Sequence, residues 1–481
     1  MIHCYCLLQL DPKEGDTYRE WLLYHDRSNL DYSEALQNSQ NLIDRGMQEE
    51  RRIIFVDDDE ERLKKIEDLF QGENRATFFL MESPIQLELI AKKIAWKSVL
   101  QCLEVKGGTT DFWKEFSRKL EEVHLAAGLL LADSADLGTL QFKAKIGRGD
   151  RPVRNGLHLK GAFVGTPAII VGAGPTLKDH LQTLHTLQEN ALIFSGGSAL
   201  AALPFEPHFA GHIDPIAPYR EAKRYAYGET PFFFQSRVSS ENFSLIHGEA
   251  IWFPETHHTF LNWLDGIEEP FDGGWTVGTF LTQIAYFLGC DPIVIVGMDL
   301  CYADGAKYPH RPNDPIHTSL CTAETGETTQ PDWLMARRWF EELSVQATDR
   351  QWIDARGGGL PFAGRFETVP LSTLKLHQKC NLRQQVYKAI HALPFLLPSE
   401  EKLREWEMSL KRCAEQAIFP NQGEEFKGEV VYDLLLSPLW KIFRPFFEQG
   451  MGQGEEIWLH RLIFFQRVIQ EHLHAIEMEL S

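Results

Sequence analysis

The stretch Thr166-Pro167-Ala168-Ile169-Ile170-Val171-Gly172-Ala173-Gly174-Pro175-Thr176-Leu177 decides how this chain is read. An apolar run enters a Gly-x-Gly-Pro-Thr turn, after which Leu177, Leu181, Leu184 and Leu187 recur at helical spacing. Strand, tight turn and helix succeed one another, as in a parallel sheet that holds a nucleotide. Glycines let a backbone come close to a phosphate, and a helix N-terminus offers unpaired N–H groups and the positive end of its dipole. The same pattern also serves as a plain strand-to-helix connection. The functional reading gains from a second Gly-rich stretch, Gly273-Gly274-Trp275-Thr276-Val277-Gly278, with a helix and a strand after it.

The chain has 481 residues, 43% of them hydrophobic, which is ample for two or three globular domains. A formal charge of -20 argues against a nucleic-acid surface or an anionic membrane. One basic patch runs the other way: Lys143, Lys145, Arg148, Arg151, Arg154 and Lys160 precede the central strand, as a solvated interdomain linker or as help with an anionic donor. The eight cysteines are scattered without a C-x-x-C, so neither a disulfide framework nor a zinc site is indicated. The start lacks the basic region of a signal peptide, and no apolar run approaches ~20 residues, so no membrane span and a cytoplasmic setting are expected.

The first ~135 residues read as a separate α/β unit. Arg52 to Val56 and Ala76 to Met81 are strands, and each leads into a helical segment. Asp57-Asp58-Asp59 at the first junction reads as a helix cap rather than as a metal site. The last ~105 residues are helical and amphipathic, with Leu403, Trp406, Leu410 and Cys413, then Leu462, Phe464, Phe465 and Val468, at helical spacing. Their aromatic stripe, which includes Phe443, Phe446 and Phe447, reads as core, with docking of a protein acceptor as the alternative.

The central region carries the chemistry. Ala191 to Phe194 runs into Ser195-Gly196-Gly197-Ser198, a β element near Phe209 leads to Asp214, and Phe232 to Phe234 leads to Ser236. Ligands of an open parallel sheet lie beyond the strands' C-terminal ends, so Ser195, Gly197, Ser198, Asp214 and Ser236 are expected on one rim with Gly172 and Gly174. Asp299 comes almost directly after the buried run Ile293 to Val296, and a carboxylate there is costly unless paired or hydrogen-bonded. It is therefore a site candidate, or else it fastens a loop by accepting backbone N–H bonds. Beyond it, Tyr302, Tyr308, His310 and His317 occupy a polar loop. Phenols can donate hydrogen bonds to a leaving phosphate, and an imidazole can take a proton from an attacking hydroxyl.

Asn155 to Gly161, Pro167 to Leu177 and Leu288 to Leu300 together resemble the domain shared by motility accessory factors and archaeal-type 6-hydroxymethylpterin diphosphokinases. Asp354 to Gly364, with Gly357-Gly358-Gly359, is similar to the Gly-rich segment that closes that domain. Motility accessory factors are built with one domain before this one and a helical region after it, and are associated with transfer of nonulosonic, sialic-acid-like sugars to flagellin. A more distant resemblance is to the metal-independent bacterial sialyltransferases that use a CMP-activated sugar. It implies that Thr276-Val277-Gly278 binds the nucleotide and that Tyr302 and Tyr308 assist phosphate departure. Ala173 and Val277 depart from that pattern, where those enzymes carry asparagine and serine.

The expected architecture is α/β, with a Rossmann-like, parallel-sheet domain over 161–370. An α/β domain over 1–140 and a basic linker over 141–160 precede it, and a helical domain over 371–481 comes after it. The leading functional reading is an inverting glycosyltransferase that moves a nonulosonic sugar from CMP to a protein hydroxyl without a metal. Gly172, Gly174, Pro175, Thr176, Ser195, Gly197, Ser198, Asp214, Thr276 and Gly278 would hold the nucleotide. Asp299 would orient donor or loop, Tyr302 and Tyr308 would stabilise the departing phosphate, and His310 or His317 would be the base. The alternative is ATP-dependent pyrophosphoryl transfer to a hydroxymethylpterin, with Mg held by Asp214 and Asp299. A third reading is a degenerate, non-catalytic nucleotide-binding scaffold.

Overall fold

The computed structural model describes residues 4–8, 52–56, 77–81, 103–107, 134, 137–139, 142, 153–213, 229–238, 243–255, 259–267, 271–302, 321–323, 325–376, 381–396, 399–418, 426, 428–449 and 455–480. The chain forms two compact units, one from residues 1–135 and 411–470, the other from 136–410 and 471–481.

The first unit contains β1 (Cys4–Leu8), β2 (Arg52–Val56), β3 (Thr77–Met81) and β4 (Leu103–Gly107) in a sheet of order β1-β4-β3-β2. β2, β3 and β4 are parallel and β1 is antiparallel. The two strands expected from the sequence are thus present and adjacent; Asp57 to Asp59 lie outside the described residues.

The second unit is built on a nine-stranded sheet. Its strands are β5 (Val153–Asn155), β6 (Ala168–Val171), β7 (Leu192–Gly196), β8 (Phe209–His212), β9 (Phe232–Phe234), β10 (Ala250–Trp252), β11 (Ile293–Val296), β14 (Trp352–Asp354) and β15 (Phe366–Thr368). A small hairpin, β12 (Cys321–Thr322) and β13 (Thr328–Thr329), lies between β11 and β14 in the chain. The large sheet has the order β15-β14-β11-β6-β7-β8-β9-β10-β5, with every neighbouring pair parallel. From β6 the chain steps outward through β7 to β10, then returns to the other side of β6 at β11. The sheet therefore reverses its order between β6 and β11, and such a switch point opens a crevice at the strands' C-terminal ends.

Covering both faces removes any need for alternation, and Ile293 to Val296 are all fully buried. The helices are α1 (Leu181–Thr186), α2 (Ser198–Ala202), α3 (Thr259–Leu264), α4 (Val277–Phe287), α5 (Pro331–Gln346), α6 (Leu382–His391), α7 (Glu400–Ile418), α8 (Ser437–Gln449) and α9 (Glu455–Leu480). One face packs Ile170, Phe194 and Ile295 against Phe280, Leu281 and Ile284 of α4; the other packs Ile169, Val171 and Val296 with Leu177, Leu184 and Ala199. Phe194, Phe209 and Phe233 stack across β7, β8 and β9 at 4.9 and 5.0 Å between neighbouring rings.

One sequence expectation changes. Residues 153–155, read within a linker, form the edge strand β5 instead, and the Arg154 charge is accommodated because Glu249 accepts from its Nε (2.6 Å). Lys143, Lys145, Arg148 and Arg151 lie outside the described residues. In the first unit, Phe443 and Phe447 of α8 meet Phe464 of α9 at 5.4 and 5.8 Å, so this part of the aromatic stripe packs inward. Among the described residues no helix is long and apolar enough to cross a membrane.

The turn into β8 contains a buried imidazole. His208 is 2% exposed, and its Nδ1 accepts from the Ile193 N–H (3.0 Å), which leaves the proton on Nε2. Burial, with Arg383 adding to it, lowers its pKa from 6.5 to about 3. The unfolded chain binds a proton below about 6.5 that the folded ring refuses, so stability present above that pH is lost as the pH falls. The expected slope is about 1.4 kcal/mol per pH unit. Urea midpoints measured from pH 7.5 to 4.5 should fall less steeply in His208→Asn, whose amide oxygen can accept the same N–H.

Candidate functional site

At the switch point the turns after β6 and β11 are fastened to each other. The Gly172 N–H donates to Val296 O (2.9 Å) and the Gly174 N–H to Gly297 O (2.6 Å). Thr176 donates twice to Asp299, from its N–H to Oδ2 (2.7 Å) and from its hydroxyl to Oδ1 (2.5 Å). Glycine is required for the approach: a Cβ on Gly172 would lie 2.6 Å from the Gly297 carbonyl oxygen, and one on Gly174 2.5 Å from Asp299 Cγ. Asp299 is 3% exposed. Burial raises its carboxyl above the usual aspartate range, against the two Thr176 bonds and the charges of Arg356 and His180, which pull it down.

This geometry corrects one expectation. The Gly-x-Gly turn does not present a row of free N–H groups, because Gly172, Gly174 and Thr176 use theirs on the β11 turn and Asp299, and Leu177 donates to Gly174 O. The turn leads into a short 3₁₀ helix, Pro175–Asp179, and proline has no N–H to give. The feature whose geometry suits an anion better is the second Gly-rich stretch. Thr276 caps α4 reciprocally with Thr279, which leaves Val277 and Gly278 in the first turn without intrahelical acceptors.

The N-terminus of α4 meets the same rim. A Cβ on Gly196 would lie 2.2 Å from Val277 Cγ1, and one on Gly278 2.1 Å from Met298 Cε. The end of β7, the start of α4 and the turn after β11 therefore adjoin. Ala173 to Thr176, Gly197, Ser198, Thr276 and Val277 are half-buried there. Ser195, by contrast, is fully buried, and its hydroxyl has no partner among the described residues. Ser236 is also fully buried and accepts from Trp252 Nε1 (2.8 Å), a packing role.

Tyr302 comes after the same turn and is braced by the hairpin: its N–H donates to Thr328 O (2.8 Å), and its ring lies 5.2 Å from that of Trp333. Gln330 Nε2 donates to the phenolic oxygen (2.5 Å), so the phenol keeps its own proton to donate. Asp214, Tyr308, His310 and His317 lie outside the described residues. No group of three or more potential metal-binding side chains occurs among the described ones.

Sequence reading missed Arg356. It is 1% exposed, pairs with both oxygens of Asp354 (2.8 and 2.7 Å), and donates from Nη1 to Met298 O (2.9 Å). His180 bonds to the Arg356 carbonyl oxygen through Nε2 (2.7 Å). The Gly357-Gly358-Gly359 segment closes over Asp299, and the Leu360 N–H donates to Asp299 O (2.9 Å). The signal was a lone arginine between an apolar strand ending in Asp354 and three glycines.

The MAf glycosyltransferase from Magnetospirillum magneticum AMB-1 has a similar structure, with a TM-score of 0.54 and 16% identity over 84% of this chain and 70% of that one. No curated protein matches the chain. Residues 150–305 match the family model described as 6-hydroxymethylpterin diphosphokinase MptE-like.

Proposed function

We propose that the rim at the switch point binds the phosphate of an activated sugar and that the protein is a glycosyltransferase. The leading form of this reading is transfer of a nonulosonic sugar from a CMP donor to a protein hydroxyl. The observation that carries it is the capped N-terminus of α4, set against the β7 and β11 turns, where N–H groups and the helix dipole favour an anion. The fold shared with the MAf glycosyltransferase supports the choice of reaction class.

In this reading Thr276, Val277 and Gly278 take the donor phosphate, with Gly174, Pro175, Gly197 and Ser198 forming the half-buried surround and Gly172 buried beneath them. Thr176 and Asp299 act on each other and keep the turn in place. Tyr302 donates its phenolic proton to the phosphate oxygen as the bond to the anomeric carbon breaks. The acceptor hydroxyl attacks that carbon from the opposite side and gives its proton to an imidazole, the role assigned to His310 or His317. Tyr308 would be the second phenol and Asp214 a further contact on the rim.

The similarity of residues 150–305 to the 6-hydroxymethylpterin diphosphokinase MptE-like family favours a second reading, pyrophosphoryl transfer from ATP. That chemistry uses a divalent cation, and Asp299 does not fit as its ligand: both oxygens accept from Thr176 and the group is 3% exposed. Thermal-shift and calorimetric titration with CMP, CDP, ATP and AMP, each with and without magnesium, separates the readings. Cytidine-selective, magnesium-independent binding is expected. Magnesium-dependent ATP binding would replace the proposal with the diphosphokinase, and absence of any binding would leave a non-catalytic scaffold.

A further inference from the structure

The opposite rim of the same sheet holds a cavity of 540 Å³. It opens at the N-terminal ends of β8, β9 and β10 and is walled on one side by α6. It has no part in the nucleotide rim, which lies at the strands' other ends. Its size is within the range of small-molecule sites.

Its polar groups are of both hydrogen-bonding senses, and two of them, Glu249 and Arg383, are held by neighbours. His208 belongs to the lining but is sealed from solvent, its Nε2 included, so the donor that the lining exposes is the Arg383 guanidinium. Glu249 is held by Arg154, which donates from Nε (2.6 Å) and Nη2 (3.3 Å), and His391 Nε2 lies 3.6 Å from its Oε1. Glu229 adds an exposed carboxylate, and Arg383 is tied by Nη2 to Gln188 Oε1 (2.9 Å) and Glu206 O (2.7 Å). Tyr387 is 60% exposed and stacks on His391 with ring centroids 3.8 Å apart. Such an exposed ring offers an apolar face with a polar edge.

A guanidinium donor, carboxylate acceptors and an aromatic face place opposite demands on a ligand. A simple anion would meet carboxylates, and an amine would meet the Arg383 guanidinium. A hydroxyl both donates and accepts, and a pyranose carries several of them around an apolar C–H face. We infer that this cavity is a saccharide-binding site, with Tyr387 as the stacking platform, Glu229 and Glu249 accepting from sugar hydroxyls, and Arg383 donating to one. It is independent of which nucleotide the other rim binds.

The test is titration of the full-length protein with glucose, N-acetylglucosamine, N-acetylneuraminic acid and their short oligomers, read by saturation-transfer NMR and calorimetry, with inorganic phosphate and spermidine as probes of the other ligand classes. Tyr387→Ala and Glu229→Gln change exposed side chains, and thermal melts confirm that each variant is folded. The expected result is binding of at least one saccharide, weakened tenfold or more by each variant. Binding that both variants leave unchanged would place the sugar elsewhere and overturn the inference. So would no saccharide binding, or binding of phosphate or spermidine alone that Tyr387→Ala or Glu229→Gln abolishes.

Discussion

Asp299→Ala is expected to cost about 2–4 kcal/mol of stability and to abolish the nucleotide binding proposed for the rim. The carboxylate accepts both the N–H and the hydroxyl of Thr176 and is 3% exposed, so its removal strands two donors and opens a void where water has little access. The β6 turn is then tied to the β11 turn only through its glycine N–H groups. Asp299→Asn is expected to cost much less at neutral pH, since an amide oxygen still accepts one bond and the Thr176 hydroxyl can turn to accept from the amide. Urea midpoints and nucleotide titrations of the two variants check both expectations.

The same pair of variants gives a pH signature. Because burial raises the Asp299 pKa in the fold, the folded protein keeps its proton to a higher pH than the unfolded chain does. The stability linked to that proton is fully present below the ordinary aspartate value of about 3.9 and is lost as the pH rises through the raised value. The gap in melting temperature between wild type and Asp299→Asn should therefore shrink as the pH rises through that window. A gap that stays constant would mean that the carboxyl titrates normally, and the burial argument would fail.

Much of the sheet was legible because its strands are unbroken apolar runs that end in glycine or small polar residues. Ile293 to Gly297 and Leu192 to Gly197 show this plainly. The edge strand β5 was not, since Arg154 reads as solvated until Glu249, 95 residues later, is seen to pair with it. Asp299 was found from its cost at the end of a buried strand, but its partner was not: Thr176 is 123 residues earlier. The availability of N–H groups in the Gly-x-Gly turn was misread for a similar reason. Glycines that let a ligand come close also let another backbone come close, and here Gly297 occupies that space. The N-terminal cavity is drawn from segments ahead of three strands and one helix, which no local motif joins.

Arg356 provides the largest stability effect expected in the central unit. Arg356→Ala leaves Asp354, 7% exposed, as a buried carboxylate without its guanidinium, and a cost of about 3–5 kcal/mol is expected. Arg356→Lys should recover little, because an ammonium cannot reproduce the two-pronged pairing to Asp354 together with the third bond to Met298 O. Nor would it lie flat over Phe362, where the guanidinium carbon is 3.7 Å from the ring centroid. The double variant Asp354→Asn/Arg356→Met removes both charges and should regain most of the loss, since the penalty belongs to the stranded ion. Nucleotide affinity should not recover with it, because a thioether has no N–H to hold the Met298 carbonyl, and Met298 underlies Gly278 at the start of α4. Urea midpoints and nucleotide titrations on the three variants measure both quantities. Affinity that returns together with stability would show that Arg356 only neutralises Asp354; stability without affinity would show that it also positions the rim.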